Sequence, residues 1–470
     1  MRLPDVLVQA ARPKPRGERH RLRILSLRFK ERHLWCQNTG ANRPPAGRRS
    51  SLLRTVQKRL IGTIALAAVL AVLAVFFVWW KNKPLGYLDP LIPPADTAGY
   101  VVALKESGDR RQVVAIAPDG SHRSPNEEAN DIECAWDAKG ERIVFISDRS
   151  PDGSYQVFNW VPDRANEPYR ISEGAPVRGL FVHPSGRYVL VASRGDIVAF
   201  SYPRGLPRRI MPPSVEPFVG DLEEVGLPGA EQDYEDIAQA ISSLWRQVKE
   251  SVEGEAFEAG ALDASGRYFV GVLTTSRGKA VVLQDLEPKQ PQQVSARVPF
   301  AAETLEIAMH PTEPRVLVSL RRFQYPSLAS IPRNMLNPDG TARKPFENGM
   351  LLLDFHGGVV PIAVSANDSQ QFLSPTLSPD GSEVAFVLTE REGDGYVTRG
   401  LFVAPVQEGG VAQARRLVEG DARQPSWLPD GTGLLLIRGG DVYRVNADGT
   451  GLKAVTTDGG PYSSPRMSPR

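Results

Sequence analysis

The sequence predicts an all-β fold, a β-propeller of seven blades with six as the alternative count, preceded by one transmembrane helix. Three observations lead to this prediction. A short motif with a tight turn returns along the chain, a further strand follows each copy, and the two ends of the repeat region look like parts of one repeat. An uncharged run of 21 residues precedes that region.

The repeated motif is best seen in "LSPDGSEVAFVLTE", residues 377–390. It consists of a short apolar strand, a tight polar turn and a second strand with alternating apolar residues. Asp-Gly or Ser-Gly supplies a turn conformation that bulky residues resist, and the period-two pattern buries one strand face. The other copies begin at Cys134, Leu180, Ala261, Ala308 and Ser426.

The length of each repeat fits a propeller blade. A third strand follows each copy, such as "YQVFNWV" or "GMLLLDF", and a polar stretch with a last short strand completes four antiparallel strands. Gly140 and Gly186 are 46 residues apart, and Gly381 and Gly431 are 50 apart. A blade takes about 40–50 residues.

The two ends of the repeat region complement each other. The terminal "SSPRMSPR" resembles a first strand cut off before its turn, and residues 99–123 resemble a blade that lacks its first strand. Joined, they complete one blade and remove exposed sheet edges. Six internal copies and this composite give seven blades.

The Pro-Asp-Gly turn followed by an apolar strand resembles the repeat of TolB-like β-propellers, most closely at Pro379-Asp380-Gly381 and Pro429-Asp430-Gly431. The resemblance covers residues 99–470 apart from two insertions. It implies the fold but not a function. TolB is similar only in the propeller, because that family pattern adds an α/β domain and has no retained anchor. TolB's role is therefore not carried over.

Residues Leu60–Trp80 are predicted to form a signal-anchor helix. As a helix, 21 residues span roughly 31 Å, which matches a hydrocarbon core of about 30 Å. Basic residues crowd its N-terminal side, and Trp79 and Trp80 suit the membrane interface. We therefore expect a single-pass protein of the inner (cytoplasmic) membrane, with its N-terminus in the cytoplasm and the propeller in the periplasm or outside. A cleaved signal peptide and a buried core helix are the alternatives.

The N-terminal tail and the body differ sharply in charge. Residues 1–59 hold 16 Lys or Arg against three acidic residues, a net charge of +13, whereas the rest of the chain carries −11. A disordered cytoplasmic tail near anionic lipid is the main expectation, and nucleic-acid binding is not expected. The true start of the protein downstream of this tail is a third possibility. Residues 81–98 are predicted to form a Pro-rich stalk.

The first insertion covers residues 203–258. Its second half predicts an amphipathic helix from about Asp233 to Val252, with acidic residues at its N-terminal end. The candidate partner-binding residues on its apolar stripe are Ile237, Ile241, Leu244, Trp245 and Val248. Two interpretations stay open: the stripe packs against the propeller itself, or it binds a partner.

The second insertion covers residues 321–348 and reads as an ordered loop over one propeller face. Phe323 and Tyr325 are its candidate partner-binding residues. A packing loop and a ligand-contacting loop are equally compatible with the sequence.

The sequence offers no motif for catalysis. It contains no Gly-x-Ser-x-Gly, no phosphate-binding loop and no His-Glu-x-x-His, and Cys36 and Cys134 form no metal or haem signature. His183 and His310 occupy equivalent repeat positions before a proline, which predicts a packing role near the turn. No cofactor and no metal are predicted.

The leading hypothesis for function is a non-enzymatic scaffold that binds an envelope protein. The alternatives are an enzyme or carbohydrate-binding propeller with its site in the central channel, and assistance in assembly or secretion. The scaffold hypothesis places the contact on the two insertions, and the channel hypothesis places it on polar side chains of the inner strands.

Overall fold

The computed structural model describes residues 96–125, 128–162, 168–202, 207–211, 254–286, 297–326, 331 and 333–470. The basic tail, the predicted anchor 60–80, most of the stalk and the predicted helix 233–252 lie outside these ranges. Across the described ranges, no helix is both long enough and apolar enough to cross a membrane.

The described residues are almost entirely β-structure, as the sequence predicts. Two short 3-10 helices, Arg333–Met335 and Gly410–Gln413, interrupt them. The 27 strands of these ranges are β1 Val101–Ser107, β2 Arg110–Ile116, β3 His122–Arg123, β4 Asp131–Trp136, β5 Ile143–Ser147, β6 Gln156–Trp160, β7 Tyr169–Arg170, β8 Val177–Val182, β9 Tyr188–Ser193, β10 Asp196–Ser201, β11 Pro207–Met211, β12 Gly254–Leu262, β13 Tyr268–Thr275, β14 Gly278–Asp285, β15 Ala301–Met309, β16 Arg315–Gln324, β17 Asn348–Asp354, β18 Val359–Ser365, β19 Gln370–Leu377, β20 Glu383–Glu392, β21 Gly395–Pro405, β22 Arg415–Glu419, β23 Arg423–Trp427, β24 Gly433–Arg438, β25 Asp441–Asn446, β26 Lys453–Ala454 and β27 Tyr462–Met467.

These strands form antiparallel sheets in which sequence neighbours pair. Among the described residues the sheet orders are β27-β1-β2-β3, β4-β5-β6-β7, β11-β10-β9-β8, β12 through β18, β19-β20-β21-β22 and β23-β24-β25-β26. Because most connections are short and local, the repeat seen in the sequence becomes a repeat of sheets.

The first strand of each repeat lies innermost, and these inner strands surround one channel. They are β4, β8, β12, β15, β19, β23 and β27. Contacts run from β27 to β4, β4 to β8, β8 to β12, and from β15 through β19 and β23 back to β27. The seven-stranded sheet joins β12 to β15. All seven inner strands contribute residues to a single cavity of about 530 Å³. The described residues thus form a β-propeller.

The predicted pairing of the two ends of the repeat region is confirmed. Strand β27 pairs antiparallel with β1, from Val101 opposite Met467 to Lys105 opposite Tyr462. The N–H of Ser468 donates to the carbonyl of Tyr100 at 2.9 Å. This bond is equivalent to the one that closes each internal repeat, such as Asp137 N–H to Arg142 carbonyl at 2.9 Å. One sheet is therefore built from both ends of the described region.

The hydrophobic core lies in layers between neighbouring sheets. One layer packs Val144 and Ile146 of one sheet against Val177 and Val189 of the next, and all four side chains are buried. Burying such a side chain contributes about 1.5–3 kcal/mol. Both faces of a sheet are covered this way, which explains why the second strand of most repeats is nearly continuously apolar.

The propeller has two distinguishable faces. The turn face carries the connections between the first and second strands of each repeat, such as 137–142 and 183–187. The loop face is the opposite one, where inner strands begin and second strands end. The described chain enters at the turn face, because Thr97 Oγ1 donates to the carbonyl of Gly140.

The bounds of both predicted insertions differ from the sequence-based ones. Residues 207–211 form β11, which pairs with β10, and β12 begins at Gly254, so the first insertion is 212–253. Strand β16 extends to Gln324 and β17 begins at Asn348, so the second connection is 325–347. Pairing with a neighbouring strand satisfies the backbone of these flanking residues, and local composition did not reveal it.

Candidate functional site

The central channel is lined by a ring of seven equivalent residues, one from each inner strand. Each lies four positions before the residue whose N–H closes the following turn. We call this set the channel ring: Glu133, Gly179, Ala259, Glu306, Ser374, Gln424 and Ser464.

Each long side chain of the channel ring reaches to the next inner strand. Glu306 Oε2 accepts the backbone N–H of Ser374 at 2.6 Å, and Gln424 Oε1 accepts that of Ser464 at 2.6 Å. Glu133 accepts the N–H groups of Gly179, at 3.2 Å, and Leu180. These polar groups therefore position the channel wall.

On the next inner strand, the channel-ring residue that donates its N–H to each of these acceptors is small and has a left-handed backbone conformation. The φ angles of Gly179, Ser374 and Ser464 are 68°, 49° and 53°. A Cβ at Gly179 would overlap the carbonyl oxygen of Glu258. Non-glycine residues adopt such angles rarely, and the surrounding structure must hold them there. The bonds from the neighbouring carboxylate or amide supply part of that restraint.

Burial acts on one carboxyl group of the channel ring. It raises the pKa of Glu306 above its usual value of 4.5, against the opposing effects of the Ser374 N–H and Arg321. Ionised Glu306 therefore lowers stability as the pH rises above 4.5. A Glu with a raised pKa in a cavity is also what general acid catalysis needs, but this carboxyl group already accepts a backbone hydrogen bond.

Two tryptophans brace the inner strands at equivalent repeat positions. Trp136 Nε1 donates to the carbonyl of Arg466 at 3.0 Å, and Trp427 Nε1 donates to that of Thr376 at 3.1 Å. Both rings line or adjoin a second cavity of about 630 Å³ toward the turn face. Glu133 lines both cavities, so the 530 Å³ cavity and the 630 Å³ cavity adjoin along the channel.

The two repeat histidines have the packing role that the sequence predicts. His183 is buried, its Nε2 lies 2.9 Å from the carbonyl of Asp263, and its Nδ1 accepts the N–H of Ser185 at 3.1 Å. His310 Nε2 lies 3.3 Å from the carbonyl of Gly381. Each ring thus joins its own turn to the turn of the next repeat, and neither lines the 530 Å³ cavity.

The aromatic candidates of the second insertion divide between core and surface. Phe323 is only 3% exposed, and the rings of Phe300, Tyr325 and Phe346 surround it. Tyr325 is partly buried, and its hydroxyl donates to the carbonyl of Arg343 at 3.0 Å. Phe323 therefore fits the packing interpretation. Tyr325 is partly exposed at the loop face.

The remaining candidates, on the predicted helix 233–252, lie outside the described residues. Within the ranges that the structure covers, His, Cys, Asp and Glu side chains form no group of three that could hold a metal ion. Cys134 is buried, and burial raises the pKa of its thiol to about 12.

Comparison with known proteins yields structural neighbours only. No protein-family model matches the chain, and no curated protein matches it. TolB from Acinetobacter baumannii is 14% identical, with a TM-score of 0.41, over 81% of this chain and 89% of TolB. An oligogalacturonate lyase in complex with manganese is 10% identical, with a TM-score of 0.45, over 78% of this chain and 89% of the lyase. A prolyl endopeptidase is 10% identical, with a TM-score of 0.42, over 77% and 49%. No activity follows for this chain.

The channel ring was not identified from the sequence. Its signal is present, because every member stands at one fixed offset from a turn. The residue types at that offset are Glu, Gly, Ala, Ser and Gln, however, and they have no common chemical property. Only the contacts between inner strands reveal that they share a position in the channel wall.

Proposed function

We propose that the propeller has seven blades. The seven-stranded sheet divides naturally between β14 and β15, where only Lys279 with Ala302 and Ala280 with Ala301 pair. A bridge between Leu283 and Arg297 supplies the fourth strand of the blade that β12 opens. Seven inner strands then correspond to seven blades.

We further propose that the protein is a membrane-anchored scaffold of the cell envelope, which binds a protein partner through its loop face. One observation carries the proposal. Both insertions leave from the loop face, since Met211, Gly254, Gln324 and Asn348 all pair at that end of their sheets. The chain enters at the opposite face, beside Gly140. The loop face thus carries both insertions, while the described part of the chain begins at the turn face.

The state of the channel polar groups favours a scaffold over an enzyme. Glu133, Glu306 and Gln424 hold neighbouring strands, and His183 and His310 hold turns. A catalytic acid or base must be able to exchange a proton with a substrate, and each of these groups would give up a structural bond to do so.

The second candidate function is the binding of a small ligand, such as a carbohydrate, in the channel. Its volume of about 530 Å³ favours this candidate, because ligand sites commonly measure about 300–1,000 Å³. In that case Glu133 and Glu306 would contact the ligand.

In-cell crosslinking followed by mass spectrometry distinguishes the two functions. The full chain is compared with a variant that lacks residues 231–253 and keeps β12 intact. Capture of one partner by the full chain and its loss in the variant supports binding through the first insertion. Capture by both moves the contact to the loop around Tyr325 or to the strand ends.

A channel variant serves as the matched control. Glu306→Gln keeps the hydrogen-bond acceptor for Ser374 and removes the charge. A scaffold captures the same partner in this variant. Loss of capture, or failure to find a specific partner with any of the three proteins, contradicts the scaffold function and directs attention to ligands of the channel.

A further inference from the structure

A second ring of residues lines the channel, two positions after the channel ring on each inner strand. Every member lines the 530 Å³ cavity, the 630 Å³ cavity or both. Strands β4, β8, β12 and β15 contribute apolar side chains to this second ring, namely Ala135, Phe181, Ala261 and Ala308. Strands β19, β23 and β27 contribute polar ones, namely Thr376, Ser426 and Arg466. At this level the channel is therefore apolar on one side and polar on the other.

Arg466 is the charged member of the second ring, and its side chain is open to the channel. It lies on β27, the innermost strand of its sheet, and it is exposed although the preceding Pro465 is buried. Layers of the hydrophobic core cover both faces of this sheet, so solvent reaches the middle of β27 from the channel. Arg466 accordingly lines both cavities.

The positive charge of Arg466 has no acidic partner in the part of the chain that the structure describes. No ion pair there engages its guanidinium group within 4.0 Å. Glu133 lies on the adjacent strand β4, but its carboxylate accepts the N–H groups of Gly179 and Leu180 on β8, on the side away from β27. Glu306 likewise accepts a backbone N–H of β19. The guanidinium group is therefore available to a ligand.

The backbone that carries Arg466 is held from both neighbouring inner strands. Gln424 on β23 accepts the N–H of Ser464 at 2.6 Å, and Trp136 on β4 donates to the carbonyl of Arg466 itself at 3.0 Å. A site that is positioned before its ligand arrives loses less conformational entropy on binding. These two bonds therefore favour binding at Arg466.

The groups around Arg466 select the chemistry of a ligand. A guanidinium group binds a carboxylate through two parallel N–H···O bonds. The hydroxyl groups of Ser426 and Thr376 make no hydrogen bond with the residues that the structure describes, and only the carbonyl of Thr376 is engaged, by Trp427. A hydroxyl group can donate to a further carboxylate oxygen. The opposite side of the ring, with Phe181, offers contact to an apolar surface.

We propose that the channel binds a small carboxylate with an apolar body. The carboxylate lies on the guanidinium group of Arg466, beside the hydroxyl groups of Ser426 and Thr376. The body lies against the apolar side of the second ring, and the 530 Å³ cavity is large enough for a small organic molecule. This inference rests on the second candidate function, the binding of a small ligand in the channel, and specifies the chemical class of that ligand.

Ligand-observed NMR titration of the purified full chain tests the proposal. Benzoate, benzyl alcohol and benzylamine are the probes, because they share one aromatic ring and differ in charge. Wild type is expected to bind benzoate about 10–100-fold more tightly than benzyl alcohol, since charge-assisted hydrogen bonds change affinity by about that factor. Benzylamine carries the same charge as Arg466 and is expected to bind most weakly.

Two substitutions at Arg466 and one control locate the binding. Arg466→Gln is expected to reduce the affinity for benzoate to that for benzyl alcohol and to leave the affinity for the alcohol unchanged. Arg466→Glu is expected to reverse the order and favour benzylamine. Arg187→Gln removes an exposed arginine that lines neither cavity, and it is expected to change none of the three affinities.

The fold is expected to tolerate these substitutions, because Trp136 binds the backbone carbonyl of Arg466 and not its side chain. Equal melting temperatures of wild type and variants check this expectation. If an Arg466 variant fails to fold, the ratio of the benzoate and benzyl alcohol affinities of wild type decides alone.

Tighter binding of benzoate that is lost in Arg466→Gln supports the proposal. Equal affinities of wild type for benzoate and benzyl alcohol overturn the assignment of a carboxylate and leave the channel as a site for small ligands. Benzoate binding that survives in Arg466→Gln overturns it as well, since the probe then binds elsewhere. Failure of all three probes to bind overturns the proposal together with the second candidate function. The crosslinking test of the scaffold function is independent of each of these results.

Discussion

The hydrogen bond between Glu306 and Ser374 offers the sharpest test of how the channel is built. Glu306→Ala removes the acceptor that lies 2.6 Å from the Ser374 N–H. Ser374 has a φ angle of 49°, so its N–H is turned away from the regular ladder, where strand pairing would satisfy it. An unsatisfied N–H of this kind costs about 1–3 kcal/mol.

Glu306→Gln separates the hydrogen bond from the charge. The amide oxygen replaces the carboxylate oxygen as acceptor, and no ionised group is buried. Burial raises the pKa of Glu306 above 4.5, so the unfolded state releases this proton more readily than the folded state. The wild type therefore loses stability relative to the Gln variant as the pH rises above 4.5. At pH 7 we expect the Gln variant to be at least as stable as wild type, and at pH 4 to be equal to it.

Urea unfolding followed by tryptophan fluorescence measures these differences, because Trp136 and Trp427 brace inner strands beside the channel. The Ala variant is expected to unfold at lower urea, with an unchanged slope, at both pH values. A Gln variant as unstable as the Ala variant would falsify the reasoning, since the charge and not the hydrogen bond would then be the essential feature. An Ala variant that matches wild type would refute it equally.

Four further substitutions test the core, the turns and one repeat histidine, with Gly393→Ala as the control for Gly381→Ala. Phe323→Ala is expected to lower the free energy of unfolding by about 3–5 kcal/mol, because the ring is buried among three others; a change below 1 kcal/mol in urea unfolding would show that the ring is not part of the core. Gly381→Ala combines a φ angle of 76° with an overlap between the new Cβ and the neighbouring imidazole ring, whereas Gly393→Ala, at 61°, has nothing within 4 Å. The left-handed conformation costs about 1–2 kcal/mol in both variants, and only the Gly381 variant adds the overlap with the ring. The Gly381 variant should therefore have the lower melting temperature. Equal melting temperatures would exclude the contact with the ring. Burial lowers the pKa of His183 below 6.5, so the stability that its neutral ring supports is present above pH 6.5 and falls as the pH drops through the lowered pKa. His183→Gln should therefore lose less stability in acid, as measured by melting temperature against pH. An unchanged pH profile of the melting temperature would contradict a neutral His183 ring in the folded protein.

The repeat was predictable because its signals are local. A turn needs particular residues at adjacent positions, and a half-buried strand needs alternation, so both are visible within a dozen residues. The pairing of β27 with β1 was predictable for a related reason. Two incomplete copies of one pattern imply each other, even though Val101 and Met467 stand at opposite ends of the described region.

Predictions from local composition were less accurate at the insertions. Residues 207–211 were assigned to the first insertion and are a strand, because pairing with Ile197 and its neighbours satisfies their backbone. Phe323 was a candidate partner-binding residue of a loop for which packing and ligand contact were both open, and the rings of Phe300, Tyr325 and Phe346 surround it.

The sequence by itself determined the all-β repeat, the joining of the ends and the structural role of His183 and His310. The tertiary structure alone decided which face carries the insertions and which residues form the channel ring. The physical reason is distance along the chain: Glu306 and Ser374 are separated by 68 residues, and nothing in either local sequence encodes the hydrogen bond between them.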